Sequence, residues 1–289
     1  MKRIAIFGKK RMHTGLDQLA RFFELLLSHT DKLHISIRRD YYSFLQRELG
    51  FTGYEAQVFD TYDGKADLVL SVGGDGTFLT SSAAVGAYET PIMGINSGHL
   101  GFLSAADLSD AEDIVNEIVS GEYLIEKRSL ISVEGVSELE NRNRYALNEV
   151  AILKQDNASM ITLETTVGGR LLANYRGDGL ILATPTGSTG YNLSVGGPIV
   201  SPTTPAWIVS PIAAHSLTMR PLVIGDDAEL VVNTTGRSDH FLLAIDGKSI
   251  SLPIGTPLTL KRAEHSVRLV TRVNQKFTDT LREKLHWGV

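Results

Sequence analysis

The stretch LSVGGDGTFL, residues Leu70–Leu79, surrounds one carboxylate with three glycines directly after a run of strand-forming residues. Glycines cost backbone entropy and add no side-chain packing, and a bend alone needs only one or two of them. The pattern therefore predicts a backbone that a ligand approaches closely, with Asp75 directed towards that ligand. Ligands of an open α/β sheet bind beyond the carboxyl ends of its strands, where the N-terminus of a following helix favours anions. We predict a phosphate cradle formed by Gly73, Gly74, Gly76 and Thr77.

A phosphate group repels a carboxylate, so an aspartate at position 75 of such a loop indicates a specific chemical role. Asp75 can orient a divalent metal, or it can take a proton from an attacking hydroxyl, and phosphoryl transfer needs both tasks. The loop is not a Walker A motif, because no Lys-Ser/Thr pair follows, and it does not match the dinucleotide fingerprint G-x-G-x-x-G. The structural alternative is a strand-to-helix turn with Asp75 as the N-cap, although capping alone does not require three glycines.

Two later stretches place polar or aromatic side chains beside strand-like runs. GINSGHLGFL, residues Gly94–Leu103, is a strand followed by a glycine-rich turn, and it offers Phe102 either for stacking on a flat ring or for the core. In LNEVAI, residues Leu147–Ile152, Asn148 and Glu149 interrupt an apolar run. An amide can pair with an adenine edge and a carboxylate can accept two ribose hydroxyls. An ordinary strand with a polar outer face explains these two residues equally well.

A third stretch, YRGDGLILATPTGSTGYNLSVGGP at Tyr175–Pro198, is dense in hydroxyl groups and glycines. As a mere connection it is long and unusually rich in hydrogen-bond donors, so we interpret it as a ligand-binding surface. It contains no G-x-S-x-G elbow, which gives serine hydrolysis little support. Its hydroxyl-bearing side chains are those of Thr184, Thr186, Ser188, Thr189, Tyr191 and Ser194.

Taken in this order, the four stretches resemble the NAD kinase family. GGDG alone is shared with 6-phosphofructokinases and with diacylglycerol and sphingosine kinases. The family pattern adds G-x-N-x-G-x-L-G-F, then Asn-Glu, then T-P-T-G-S-T followed by Tyr and G-G-P, and the resemblance runs from Ile4 to the closing DTLREKLHWG. It implies the reaction ATP + NAD → ADP + NADP, with Mg²⁺ or another divalent metal accompanying ATP near Asp75 and no further protein ligand assigned to it.

The resemblance also implies roles for individual residues. Asp75 is the expected proton acceptor for the 2′-hydroxyl of the adenosine ribose, and Asn148 and Glu149 are expected to hold the adenine and the ribose. The further residues that it places at NAD are Gly76, Arg176, Asp178, Thr189, Gly190, Tyr191, Asn192, Leu193, Ser194 and Ala213, and Phe102 is added as a predicted contact from its position alone. Two positions depart from the family pattern, since Gly190 stands where alanine is usual and Lys248 where glutamine or asparagine is expected. His215, near Ala213, is interpreted as a structural histidine.

The implied assembly is a homodimer or homotetramer with sites shared between subunits, in which Asp178 reaches a neighbouring site. Inorganic polyphosphate is an alternative phosphoryl donor. A lipid kinase of the diacylglycerol type is the competing enzyme, but the hydroxyl-rich loop argues against the apolar groove that it needs. A dinucleotide-binding regulator without turnover would be expected to have a degraded Asp75 motif, and the motif is intact.

The composition limits which classes of protein the chain can belong to. The 289 residues are 43% hydrophobic and 21% charged, so a large buried core is expected. The net charge of −5 argues against a nucleic-acid-binding surface. The absence of cysteine excludes disulfides and thiolate chemistry and fits a reducing cytoplasm. The apolar run Ile4–Phe7 is too short for a signal peptide and no segment reaches membrane-spanning length, so a cytoplasmic protein without membrane contact is expected.

These residues are predicted to lie on an α/β plus all-β architecture. Residues 1–125 alternate strands and helices as a Rossmann-like α/β domain carrying the GGDG loop, with helices expected at Leu16–Leu27, at Phe78–Gly86 and, capped by Ser109, at Asp110–Ser120. Residues 126–271 contain strand runs separated by Gly-Gly and Asp-Gly turns, which predicts a β-rich, sandwich-like domain. Residues 272–289 return to a helical period and are expected to pack back on the first domain.

Overall fold

The computed structural model of the chain describes residues 1–11, 14–52, 56–96, 98, 101–139, 143–156 and 159–288. The α-helices in these ranges are α1 Leu16–Leu27, α2 Arg39–Leu49, α3 Asp75–Val85, α4 Ala111–Ser120, α5 Tyr191–Ser194 and α6 Phe277–Leu285. The strands are β1 Lys2–Gly8, β2 Leu33–Arg38, β3 Gln57–Phe59, β4 Leu68–Val72, β5 Ile92–Asn96, β6 Ala106–Asp107, β7 Leu124–Arg128, β8 Ile131–Glu134, β9 Tyr145–Ala146, β10 Glu149–Lys154, β11 Ile161–Val167, β12 Arg170–Gly177, β13 Gly179–Ala183, β14 Ala206–Ile212, β15 Leu222–Gly225, β16 Leu230–Gly236, β17 His240–Ile245, β18 Lys248–Pro253, β19 Leu258–Arg262 and β20 Val267–Thr271.

The chain forms two compact units, Met1–Lys127 with Val267–Val289, and Arg128–Ser266. The return to the first unit begins at strand β20, whereas the sequence analysis places it at residue 272. The short strand pattern of β20 resembles its β-rich predecessors, which is why sequence alone groups it with them. None of the helices in the described ranges is long and apolar enough to cross a membrane.

The first unit is built on an eight-stranded sheet in the order β3-β2-β1-β4-β5-β20-β7, with β6 paired to β5. β2 and β4 flank β1, and both pair with it in parallel. The strand order therefore reverses at β1, and the ends of β1 and β4 form the switch point where open α/β sheets bind ligands. Every residue of β4 is buried, as its continuous apolar run predicts for a central parallel strand.

Local sequence signals explain the helices of this unit. Helix α1 has the predicted bounds and buries Leu19, Phe22, Phe23 and Leu26 on one face. Helix α2 ends at Leu49, and Gly50 after it adopts the left-handed conformation (φ 60°) that glycine allows at a helix C-terminus.

The predicted cap of α4 is wrong. Ser109 lies inside a short 3₁₀ turn, Leu108–Asp110, and its backbone N–H donates to the carboxylate of Asp107 at 2.9 Å. Helix α4 then begins at Ala111. Both an aspartate and a serine can cap, and the sequence offered both within three positions, so residue type could not decide between them.

The second unit consists of two six-stranded sheets, ordered β15-β14-β13-β10-β17-β18 and β12-β11-β16-β19-β8-β9. Their strands pair antiparallel, for example β10 with β13 and with β17. Side chains from both sheets join one core, in which Trp207 and Phe241 are fully buried. The predicted β-rich, sandwich-like fold is confirmed.

Helix α6 belongs to the first unit, as predicted for the C-terminal segment. The ammonium group of Lys284 on this helix lies 5.9 Å from the ring centroid of Phe102, in cation–π range. Helix α6 thus contacts the connection between β5 and β6 at Phe102, a predicted site residue.

Candidate active site

The GGDG loop lies at the switch point of the first sheet. Strand β4 ends at Val72, whose carbonyl accepts the N–H of Lys9 at 2.9 Å, and the N–H of Gly73 donates to the carbonyl of Ile95 at 2.8 Å. These two bonds tie the loop to the ends of β1 and β5. Gly73 has φ +152°, and a β-carbon there would overlap the side chain of Thr77, so only glycine fits this position.

The next two glycines leave the backbone open. A β-carbon at Gly74 or Gly76 would meet no atom within 4 Å. Helix α3 begins immediately after Gly74, which is its N-cap and provides no side-chain cap. The first N–H groups of a helix lack the usual partner four residues earlier, and its dipole favours an anion there. In α3 the N–H of Thr77 donates instead to the carbonyl of Gly74 at 2.9 Å, so the open backbone lies at Gly74 and Gly76. The arrangement can hold phosphate oxygens on bare backbone N–H groups, as the glycine pattern predicts.

Asp75 is the first residue of α3 and not its N-cap, so the structural alternative of the sequence analysis is not what forms. Its carboxylate accepts two backbone hydrogen bonds, from the N–H of Phe102 to Oδ2 at 3.0 Å and from the N–H of Leu103 to Oδ1 at 3.1 Å. The fold therefore brings the GGDG loop and the turn containing Phe102 together. A carboxylate oxygen has a second lone pair, which leaves each oxygen of Asp75 able to accept a further proton donor.

In the second unit, Asn148 and Glu149 lie against the hydroxyl-rich loop. The carbonyl of Asn148 accepts the N–H of Thr184 at 2.9 Å, and the hydroxyl of Thr184 donates to the carbonyl of Leu147. A β-carbon at Gly187 would overlap the backbone of Asn148. The Thr-Pro-Thr-Gly segment thus needs its glycine to approach the Asn-Glu pair, and two separate motifs become one surface.

Glu149 is buried beside this loop, with only 9% of the residue exposed. It accepts a hydrogen bond from the backbone N–H of Tyr191. Its Oε2 is buried and has no hydrogen-bond partner among the residues that the structure describes. Burial, and then the negative charge of Asp246, raise the pKa of Glu149 from about 4.5 to about 7. A buried acceptor without a partner is costly, so this oxygen fits a ligand that brings a hydroxyl donor.

Gly190 borders the same oxygen. A β-carbon at this position would lie 3.0 Å from Oε2 of Glu149 and 3.9 Å from Nδ2 of Asn148. The departure from alanine noted in the sequence therefore widens the space beside the carboxylate, where a ligand group would enter. Thr189 is half-buried next to it, whereas Tyr191 is 40% exposed.

Asn192, predicted as an NAD contact, is fully buried and uses its side chain within the protein. Its Nδ2 donates to the carbonyls of Ser188 and Pro198, both at 3.1 Å, and its Oδ1 accepts the hydroxyl of Ser210 at 2.7 Å. A β-carbon at Gly197 would overlap the same amide. Asn192 therefore holds the loop in shape, and a direct contact with NAD stays a prediction. Leu193 is half-buried and Ser194 exposed on the same short helix α5.

Arg176, Asp178 and Ala213 form a second group, at the ends of β12 and β14. The carbonyl of Arg176 accepts the N–H of His215 at 2.8 Å, and the N–H of Asp178 donates to the carbonyl of Ile212 at 2.9 Å. The side chain of Arg176 is exposed.

The Asp178 carboxylate lies 2.6 Å from Nζ of Lys154 and is 42% exposed. Ala213 has a positive φ of 45°, an uncommon conformation for a residue with a β-carbon. Such backbone strain often marks a functional turn, and the prediction that these residues contact NAD remains a prediction.

Comparison with known proteins identifies the family. The model of the ATP-NAD kinase N-terminal domain matches residues 21–123, and that of the ATP-NAD kinase C-terminal domain matches residues 147–271. The NAD kinase of Bacteroides fragilis is 42% identical over 286 residues, which cover 99% of this chain and 98% of that protein. The chain belongs to the ATP-NAD kinase family.

Further relatives match nearly the whole chain. The NAD kinase of Porphyromonas gingivalis is 40% identical over 289 residues, covering 100% of this chain and 99% of that protein. An NAD kinase from Archaeoglobus fulgidus, solved in complex with ATP, has a TM-score of 0.71 at 25% identity and covers 98% of both chains. Yeast NADH kinase, solved with NADH, has the same fold, with a TM-score of 0.87 at 23% identity, covering 100% of this chain and 88% of that one. The enzyme is thus a kinase with the fold of this family.

Two features of the site have no counterpart in the sequence predictions. Lys9 follows β1 and lies beside Gly73, where a β-carbon of the glycine would approach Cβ of Lys9 to 3.2 Å. The basic run GKKR after the first strand was the available signal. The carboxylate of Asp246 accepts hydrogen bonds from the backbone N–H groups of Asn148 and Glu149. In the sequence, the Asp-Gly pair that contains Asp246 indicates only a hairpin turn. Lys248 is exposed at the start of β18.

No set of three or more His, Cys, Asp or Glu side chains that could hold a metal ion occurs in the part of the chain that the structure describes. Asp75 is the carboxylate of the phosphate loop. Mg²⁺ is commonly bound by one or two carboxylates together with substrate phosphates and water, and not by a complete protein cage. A single carboxylate next to a phosphate cradle fits a divalent cation that arrives with its nucleotide.

Proposed function

We propose that this enzyme transfers the terminal phosphoryl group of ATP to the 2′-hydroxyl of the adenosine ribose of NAD. The observation that carries this proposal is the GGDG loop at the switch point, where open backbone at Gly74 and Gly76 adjoins the carboxylate of Asp75. Anion-binding backbone and a proton acceptor are the two requirements of phosphoryl transfer to an alcohol. Relatives named NAD kinase, 42% and 40% identical over nearly the whole chain, support NAD as the acceptor.

Asp75 is the proposed proton acceptor. The ribose oxygen forms a bond to the terminal phosphorus, the bond from that phosphorus to the bridging oxygen of ADP breaks, and the hydroxyl proton moves to Asp75. Its two hydrogen bonds from Phe102 and Leu103 fix the direction of the carboxylate without using all of its lone pairs. A fixed carboxylate within reach of the hydroxyl lowers the barrier mainly by positioning.

Asn148 and Glu149 are the proposed adenosine-binding residues. Oε2 of Glu149, buried without a partner among the described residues, can accept a ribose hydroxyl. The neighbouring amide of Asn148 can both donate to and accept from an adenine edge. The further contacts proposed for NAD are those of Gly76, Phe102, Arg176, Asp178, Thr189, Gly190, Tyr191, Asn192, Leu193, Ser194 and Ala213.

ATP is the proposed donor, because the matching family models are those of ATP-NAD kinases and a relative with the same fold was solved in complex with ATP. Mg²⁺ or another divalent cation, when bound, neutralises the triphosphate charge. The protein residues that would hold it are Asp75 and, through the phosphates, the open backbone at Gly74 and Gly76. The N–H groups of Gly73 and Thr77, the other two predicted residues of the phosphate cradle, donate to the carbonyls of Ile95 and Gly74.

A homodimer or homotetramer is the proposed assembly. The edge strand β15 exposes Leu222 and Val223 (39% and 47%), and Leu217, in the preceding connection, is 93% exposed. Apolar side chains on an open sheet edge favour association. Light scattering should give a mass of two or four chains, and a monomer at micromolar concentration would contradict the proposal.

Incubation of the enzyme with ATP, Mg²⁺ and NAD, followed by an NADP-specific dehydrogenase, tests the function. NADP should accumulate with ADP in equal amounts, and parallel reactions without ATP, without NAD or with polyphosphate in place of ATP define the donor. If ATP is consumed with diacylglycerol and not with NAD, the lipid-kinase alternative is correct. If NAD binds without any turnover, the chain is a dinucleotide-binding regulator.

A further inference from the structure

Asp246 makes contacts that its position in a hairpin does not require. Asp246 and Gly247 join β17 to β18, with φ values of 47° and 78°. Two positive φ values define the type I′ turn, for which Asp-Gly and Asn-Gly are the preferred pairs. The turn therefore accounts for an aspartate or an asparagine at this position, but it does not use the side chain.

The side chain of Asp246 leaves the hairpin and accepts hydrogen bonds from three successive backbone amides. Its Oδ2 accepts the N–H of Leu147 at 2.8 Å, and its Oδ1 accepts those of Asn148 at 2.8 Å and Glu149 at 3.1 Å. In return, the N–H of Asp246 donates to the carbonyl of Glu149 at 3.1 Å. Hydrogen bonds to an ionised carboxylate are short and roughly twice as strong as neutral ones.

The same segment is held from its other side. The N–H of Thr184 donates to the carbonyl of Asn148 at 2.9 Å, and the hydroxyl of Thr184 donates to the carbonyl of Leu147. The peptide groups that flank Asn148 are thus fixed through both their donors and their acceptors. A side chain on such a backbone keeps its direction, whereas a displacement of about 1 Å can cost about 100-fold in activity.

We propose that Asp246 is a positioning residue for NAD recognition, whose carboxylate gathers the amides of residues 147–149 and so directs Asn148 and Glu149 towards the adenosine. This inference rests on the proposed function of that pair. Asp246 itself need not touch NAD. Its contribution is to set the geometry of the two residues that do.

Asp246→Asn separates this role from that of the turn. Asparagine suits a type I′ turn as well as aspartate does, so a residue needed only for the hairpin would tolerate the change. The asparagine side chain has lost its charge, and its NH₂ group cannot accept the N–H that Oδ2 accepts. We expect the KM for NAD to rise by about 10- to 100-fold, as loss of charge-assisted hydrogen bonds predicts. The KM for ATP should stay within about twofold, because the proposed phosphate loop belongs to the other unit.

Asp239→Asn is the matched control, since it removes one carboxylate from an exposed position just before β17, in the same hairpin. It should leave both KM values unchanged. Asp246→Glu keeps the charge and should restore part of the NAD affinity. If Asp246→Asn behaves like Asp239→Asn, the inference is overturned.

Amide hydrogen exchange in the wild-type protein keeps the test decisive if Asp246→Asn does not fold. The amides of Leu147, Asn148 and Glu149 should exchange slowly, like those of the neighbouring strand β10. Exchange as fast as that of an exposed turn would overturn the inference. Glu149→Gln tests the underlying assignment separately: if that variant binds NAD as the wild type does, the proposed role of Glu149 fails, whatever the result at Asp246.

Discussion

Gly101 lies so close to Asp75 that a β-carbon on Gly101 would overlap Oδ1 of the carboxylate. The two residues are 26 positions apart in the sequence. The backbone N–H groups of Phe102 and Leu103, which follow Gly101, donate hydrogen bonds to Asp75 and hold the two segments together. A residue without a side chain at position 101 is therefore what allows the carboxylate to rest on this turn. The glycine-rich segment after β5 serves the carboxylate of the phosphate loop.

Gly101→Ala should reduce kcat by about 10- to 100-fold, because the methyl group displaces the carboxylate that we propose as proton acceptor. Circular dichroism should show an intact fold, because the nearest atoms to the added β-carbon all belong to the side chains of Asp75 and Ser104 and not to the backbone. Gly236→Ala is a suitable control: a β-carbon there meets its nearest neighbour only at 3.7 Å. Full activity of Gly101→Ala would show that the contact between Gly101 and Asp75 does not matter for catalysis.

Asp75→Asn should fold and lose most of its activity. The amide cannot take a proton, and general-base groups contribute about 100- to 10,000-fold to rate. Steady-state kinetics with the coupled NADP assay give kcat, and thermal unfolding checks that the variant is folded. Turnover close to that of the wild type would remove Asp75 from the mechanism.

The parts of the fold that could be predicted are those with local signals. Helix α1 has its predicted bounds because its apolar spacing defines one buried face, and the GGDG loop lies at the end of β4 because glycines follow a buried strand. The start of α3 at Asp75 was predicted three positions late, at Phe78, because glycine and aspartate are poor helix formers. In the structure α3 begins three residues after the end of β4, so the tertiary context outweighs the low helix propensity of Asp75 and Gly76.

The contacts that could not be predicted join distant segments. Asp246 and Asn148 are separated by 98 positions, and nothing in either local pattern indicates that one carboxylate holds the other's backbone. Asn192 stands in a motif that suggests a ligand contact, yet its amide is used for Ser188, Pro198 and Ser210. Residue type alone cannot distinguish a side chain that binds a ligand from one that shapes the loop around it.

The NAD affinity of the wild type should increase by about tenfold between pH 6 and pH 8. The pKa of Glu149 is raised to about 7, and only the ionised carboxylate accepts hydroxyl donors through both oxygens. Glu149→Gln cannot ionise, so its weaker affinity should not change over this range. Calorimetric titration with NAD at several pH values measures both. The same pH dependence in the wild type and in Glu149→Gln would assign it to another group, of which Asp246, with a pKa raised by burial, is the nearest.

The free energy of unfolding of the ligand-free protein should show the opposite trend. Because the pKa of Glu149 is higher in the folded state, at about 7, than its ordinary 4.5, the folded protein binds more protons in this range. The stability that protonation contributes is complete below about pH 4.5 and is lost as the pH rises through 7. Urea unfolding should therefore show that Glu149→Gln gains stability relative to the wild type between pH 5 and pH 8. A constant difference between the two proteins would contradict the raised pKa.

Asn192→Ala should destabilise the protein by about 2–4 kcal/mol, because it leaves the hydroxyl of Ser210 and the carbonyl of Ser188 without their partner in a buried place. The partly buried bond to the carbonyl of Pro198 is lost as well. Asn174→Ala, at an exposed position of β12, is the matched control and should stay within about 0.5 kcal/mol of the wild type. Chemical unfolding gives both values. If Asn192 shaped nothing and only touched NAD, its removal would weaken NAD binding and leave the unfolding midpoint of the ligand-free protein where it was. A loss of stability in the ligand-free protein, measured before any NAD is added, therefore separates support of the loop from contact with the substrate.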